Sequence, residues 1–245
     1  MRTVSIHLTA LLAFLFLAAL SGCSVVDSSN IATADIHARY EVSTQGDGWS
    51  TVKAWLSDGT GLDAPDIDLA PSDTLTVYIN GIERTLRKKR LLGVIHYETP
   101  INSSRINAQF VVALMREERV SAPSSTVMLP APYTASVVNA DLVANQNLDV
   151  SWSPALGDGY TMDVTWELAC GSETEFGFTV SVEDDGDHTV KVSDMLTLFE
   201  TTPSGVCEGF VTLERRQFGD VDPNLDRGSK IESIQHRTVN FTVSN

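Results

Sequence analysis

From Asp220 to Asp226 an oxygen-bearing side chain stands at every second position: Asp220, Asp222, Asn224 and Asp226. That recurrence is the one a calcium loop uses, because a hard cation takes about six to eight oxygens and one loop can supply several of them. An EF-hand would also need glycine at the sixth position and a bidentate glutamate at the twelfth, where this chain has Leu225 and Ile231. Asp222-Pro223 and Arg227-Gly228 are ordinary turn chemistry as well. The expected reading is therefore a solvated loop between the last two strands, with a weak calcium site at Asp220, Asp222, Asn224 and Asp226 as the alternative.

Other residues with chemical capacity are dispersed. His37, His96, His188 and His236 occur singly on or beside expected strands, and His7 precedes an apolar run. A lone strand histidine is more often a surface or satisfied core residue than a base or ligand. Arg87-Lys88-Lys89-Arg90 is the one dense basic run. It reads first as a solvated hairpin end, and second as a contact for lipopolysaccharide phosphate, anionic lipid or an acidic neighbour. Glu183-Asp184-Asp185-Gly186-Asp187 reads as a hairpin turn before it reads as a cation site. The chain has no nucleophile elbow, zinc-protease motif, phosphate loop or dinucleotide fingerprint, so no enzyme activity and no cofactor are expected.

The chain carries 17 Lys and Arg against 32 Asp and Glu, a formal net charge of −15. Such a field repels phosphate backbones and argues against nucleic acid as a partner. Most of the acidity falls beyond residue 132.

The apolar run Leu8 to Leu20 follows a short basic start and is too short for a comfortable membrane span, as in a signal peptide. Its end, Leu20-Ser21-Gly22-Cys23, resembles the lipobox of bacterial lipoproteins. The resemblance implies cleavage after Gly22 and acylation of Cys23, which anchors the chain to a membrane. Ser24 in place of aspartate then favours the outer membrane. With Cys23 assigned to lipid, Cys170 and Cys207 are left as a pair in an oxidising compartment, where a disulfide is expected. Their Cα atoms should lie roughly 5–6 Å apart.

Residues 24–34 have no periodicity and read as a flexible tether. Beyond them the pattern is short strands separated by turn residues, seven in each half. The first-half strands fall near 36–43, 50–57, 74–79, 82–86, 91–99, 108–115 and 126–129, with Asn80-Gly81 the strongest hairpin signal. Prolines at 123, 130 and 132 mark a stiff connector, expected to hold two sandwiches in a rod-like relation. The second half, with Tyr133 to Val138 followed by Leu148 to Pro154, resembles a fibronectin type III or immunoglobulin-like sandwich, with Trp152 as the core tryptophan. By that resemblance the strands ending at Cys170 and starting after Cys207 are antiparallel neighbours.

The expected architecture is thus all-β. Residues 1–22 form a signal peptide, 23–34 a lipidated tether, 35–132 a first antiparallel β-sandwich and 133–245 a second. The expected function is a non-enzymatic, lipid-anchored envelope lipoprotein whose sandwiches contact protein or glycan. Alternatives are an extracytoplasmic metal-dependent enzyme or hydrolase, and a structural subunit of an envelope complex.

Overall fold

Alternation in Ile36–Thr44 puts Ile36, Ala38, Tyr40 and Val42 on one face, all fully buried, and Arg39 and Glu41 on the other. The same period-two logic repeats along the chain. Each fully buried aliphatic side chain stabilises by about 1.5–3 kcal/mol, so the sheet register is strongly specified. The computed structural model describes residues 24–61, 63–105, 108–171, 176–197, 199 and 205–244. Residues 1–22, expected to be a signal peptide, and Cys23 lie outside the described residues.

The first half contributes β1 (Val25–Asp27), β2 (Ile36–Thr44), β3 (Ser50–Asp58), β4 (Asp66–Asp68), β5 (Thr74–Ile79), β6 (Ile82–Thr85), β7 (Arg87–Leu91), β8 (Val94–Ile101), β9 (Gln109–Met115) and β10 (Ala122–Met128). The second contributes β11 (Thr134–Val137), β12 (Asp141–Val143), β13 (Asn147–Ser153), β14 (Gly157–Cys170), β15 (Phe176–Asp184), β16 (Asp187–Lys191), a helical turn α1 (Val192–Leu196), β17 (Val206–Phe218) and β18 (Lys230–Ser244). The protein is an all-β sandwich fold.

One sheet runs β1-β4-β3-β2-β18-β17-β14-β15, with β8 and β7 added beside β3 and β12 beside β18. A four-stranded sheet β10-β9-β5-β6 and a three-stranded sheet β11-β13-β16 complete two sandwiches. The first apolar core runs from Ile31 to Leu129 and then takes Leu225 and Ile231; the second runs from Tyr133 to Val243. Most ladders are antiparallel, but β1 with β4, β12 with β18 and β18 with β2 are parallel, which the expectation of purely antiparallel sheets missed.

Strand β18 joins the two halves. Lys230–Gln235 pairs with β2 of the first sandwich, while Glu232 to Ser244 pairs with β17 of the second. The halves are therefore not linked by a connector alone. The connector is itself clamped, because Met128, Pro130, Ala131 and Tyr133 carbonyls accept from Ser233 Oγ, Gln235 Nε2, Arg215 Nη1 and Arg237 Nε at 2.6, 2.7, 2.8 and 3.0 Å. Part of the proline segment is also strand, since β10 starts at Ala122 and carries Pro123 across a register shift.

The tether expectation is corrected too. Val25–Asp27 adds to the sheet, Ser28 is fully buried, and Ile31 enters the first core. Arg116 explains the docking: its guanidinium donates to the Ser28 and Ile31 carbonyls and to Thr33 Oγ1 while pairing with Asp73 Oδ2 at 3.1 Å. A further correction concerns the expected strand 91–99, which is interrupted by a turn at Leu92-Gly93.

Candidate functional site

The outward-facing residues of β2, β3, β8, β14, β17 and β18 form one continuous polar face across both sandwiches. Alternation brings Arg39 and Glu41 from β2, Trp55 from β3, Glu232 and His236 from β18, Glu214 and Arg216 from β17, and Asp163 from β14 to this side. Glu232 sits at its centre with its side chain only 4% exposed. One of its oxygens faces Arg39 Nη2 at 3.5 Å and the other Arg216 Nη1 at 3.2 Å. The carboxylate thereby bridges a strand of each sandwich. Arg216 also contacts Asp163 at 3.0 Å and Glu214, so three carboxylates surround one guanidinium.

Burial disfavours the charged form of Arg216, but Glu214, Asp163 and Glu232 together outweigh it and hold its pKa above the ordinary arginine value. His236 goes the other way. Burial, with Arg237 adding, holds it below the ordinary histidine value against the pull of Glu214, Glu41 and Asp47. A shallow depression of about 270 Å³ opens here, lined by Arg39, Glu41, Ser43, Lys53, Glu214, Arg216, Ile234 and His236. On its first-sandwich flank Arg39 lies 5.1 Å over the Trp55 ring, and His96 stacks on Trp55 with centroids 6.2 Å apart. The acidic groups Asp163, Glu214 and Glu232 each face an arginine. This is a charge-paired polar surface with hydrogen-bonding capacity, and among the described residues no nucleophile and base are brought together on it.

The residues singled out from sequence go to several places. Cys170 and Cys207 are disulfide-bonded, and directly opposite each other on β14 and β17. Their Cα separation is 4.2 Å, shorter than expected, because the bond joins adjacent strands of one sheet. The oxygens of Asp220, Asp222, Asn224 and Asp226 do not share one centre. Asp220 exchanges backbone hydrogen bonds with Thr126, and Asp222 Oδ2 accepts from Ser124 N–H and Oγ–H at 2.9 and 2.7 Å. Asn224 Nδ2 donates to the Ser121 carbonyl, and Asp226 Oδ1 accepts from Gly228 N–H beside His37 Nδ1. The Gly228 bond, then His37, holds the Asp226 carboxyl below the usual aspartate range.

The solvated-loop expectation also needs correction, since Asp222 and Leu225 are buried against the first sandwich. Of the histidines, His96 and His236 reach the polar face, His37 meets Asp226, and His188 lies on β16 opposite Val150. Arg87 to Arg90 form most of β7, an exposed strand that leads to the turn of the β7–β8 hairpin, in keeping with the solvated hairpin end expected. Asp184, expected in an ordinary acidic turn, is fully buried and paired with Arg215, their Oδ2 and Nε 2.7 Å apart; Trp152 Nε1 donates to its other oxygen at 2.7 Å.

Glu232, Arg216 and Arg39 were missed from sequence. The only available signal was their outward parity on strands whose pairing was unknown.

No protein-family model matches the chain, and no curated protein matches it in sequence. Among solved structures it is similar to the Bacteroides ovatus mixed-linkage glucan utilization locus SGBP-B in complex with mixed-linkage heptasaccharide, at 9% identity and a TM-score of 0.19, with 92% of this chain and 67% of that chain covered. So low a score carries no argument, and the role of the polar face rests on its own residues.

Proposed function

We propose that this chain is a non-enzymatic, outer-membrane lipoprotein, acylated at Cys23, that presents its two sandwiches to a protein partner in the cell envelope. The observation that carries the reading is the continuous charge-paired face centred on Glu232, shared by both sandwiches. Paired charges give specificity and register to a protein contact. Trp55 on this face is not free to stack on a sugar, since Arg39 lies over its ring and His96 is stacked beside it.

A photo-crosslinking residue at Lys53, in cells, tests the partner. It should capture one envelope protein at fixed stoichiometry, and reversing the charge of Glu41 should abolish capture. Capture no better than from Val138, which lies away from the face, overturns the contact reading. Labelled fatty acid that enters the native chain but not Cys23→Ser supports the anchor; equal labelling of both, or of neither, defeats it.

A further inference from the structure

Two hairpins of the first sandwich turn through two residues in the left-handed region. Asn80-Gly81 has φ of 48° and 80°, the residues such a turn prefers. The β7–β8 hairpin makes the same turn with Leu92-Gly93, at φ of 50° and 91°. Leucine is disfavoured there by its Cβ, and here nothing in the fold compensates, because Leu92 is 94% exposed and Leu91 beside it 65%. An exposed apolar side chain held in a strained conformation points to a role outside folding.

Three further facts name the surface it meets. The strand leading into the turn is Arg87-Lys88-Lys89-Arg90, all exposed; Lys88 is paired with Asp68, while Lys89 and Arg90 have no ion-pair partner among the described residues. In a chain of net charge −15, this strand is the local place where an anionic surface is attracted. The turn also lies near Ser24, the residue that follows Cys23: the Ser24 carbonyl accepts from Asp66 N–H at 3.0 Å, and Asp66 Oδ2 accepts from Ile95 N–H, next to the turn, at 2.8 Å.

We infer that the β7–β8 hairpin is a membrane-contact element, its Leu91-Leu92 tip seated among the acyl chains of a bilayer and its basic strand against anionic headgroups. An apolar tip with a basic flank has the chemistry of interfacial binding, and beside an acyl anchor it would fix how the body stands on the membrane. The inference draws on the proposed anchor at Cys23 for its geometry, and its test separates the two.

The full chain bearing a nitroxide at Val94→Cys is reconstituted in vesicles of phosphatidylcholine and phosphatidylglycerol, and its collisions with oxygen and with a water-soluble nickel chelate are measured. The oxygen-to-nickel ratio should exceed severalfold that of a nitroxide at Val138→Cys. Adding Leu92→Asn, which suits the turn and keeps the fold, should bring the ratio down to the Val138 level, as should Lys89→Glu with Arg90→Glu. A ratio at position 94 equal to that at 138, or unmoved by these changes, overturns the inference. Low collision with both probes means a protein covers the tip, and overturns it as well. Mass analysis of Cys23 in the same sample reports the anchor separately: a lipidated chain with an aqueous tip sinks the hairpin contact alone, and an unlipidated chain with a membrane-seated tip sinks the anchor alone.

Discussion

Among the described residues each sandwich encloses one buried arginine–aspartate pair, and the two pairs hold different junctions. Arg116, with Asp73, spends its remaining donors on the carbonyls and hydroxyl of residues 28–33, so it fastens the entering chain to the first core. Arg215, with Asp184, donates to the carbonyls of Ala131 and Pro154 at 2.8 and 2.9 Å, so it fastens the connector to the second. Tyr133 completes that clamp: its hydroxyl donates to the Leu213 carbonyl at 2.6 Å, and the guanidinium of Arg215 lies 4.8 Å over its ring. A buried ion pair seldom stabilises more than a well-packed apolar substitute. What these two supply is a fan of donors for backbone carbonyls that neither strand ladder reaches.

The sharpest way to break the comparison is Arg215→Ala. It leaves Asp184 as an uncompensated buried charge and should cost about 3–5 kcal/mol, read by denaturant unfolding. Replacing both partners by Met and Leu removes the charge problem and still strips donors from Ala131 and Pro154. If that double variant recovers full stability, the clamp reading is wrong and the pair is only an ion pair.

The second sandwich alone has a disulfide, and Cys170→Ser with Cys207→Ser should cost about 2–4 kcal/mol. The loss should appear as earlier hydrogen exchange in β14 and β17, with β5 and β9 of the first sandwich protected as before. Arg116→Ala should act more locally. Residues 24–34 should exchange and become protease-sensitive while the midpoint of global unfolding moves less than for Arg215→Ala.

The smallest expected effect is titration at the seam. Because His236 has a folded pKa below its ordinary 6.5, the folded state binds fewer protons there than the unfolded chain. Its contribution is complete above about pH 6.5 and is lost as pH falls through the lower folded value. A His236→Gln variant should flatten that part of the stability profile; an unchanged slope below pH 6.5 would remove the histidine from the account.

The strand pattern was legible because burial forces alternation, and β2 and β3 follow it closely. Asn80-Gly81 announced its turn through residue chemistry. Leu92-Gly93 did not, since leucine gives no left-handed signal, and a strand was read straight through it. The N-terminal segment looked like coil because its partner, Arg116, stands in the surface-like run Met115 to Arg119. The disulfide was legible from cysteine arithmetic. The polar face was not, because Arg39 and Glu232 meet only through the β2–β18 ladder, and no local pattern records a pairing between opposite ends of a chain.

That ladder also sets an order of events. Strand β2 is made early, and one of its edges stays open until Lys230–Gln235 arrives from near the other end of the sequence. A chain made from its N-terminus therefore presents an unpaired strand edge until β18 is made, a template for wrong pairing with another chain. The first sandwich closes only when β18 arrives, so loss of β18 leaves both halves incomplete.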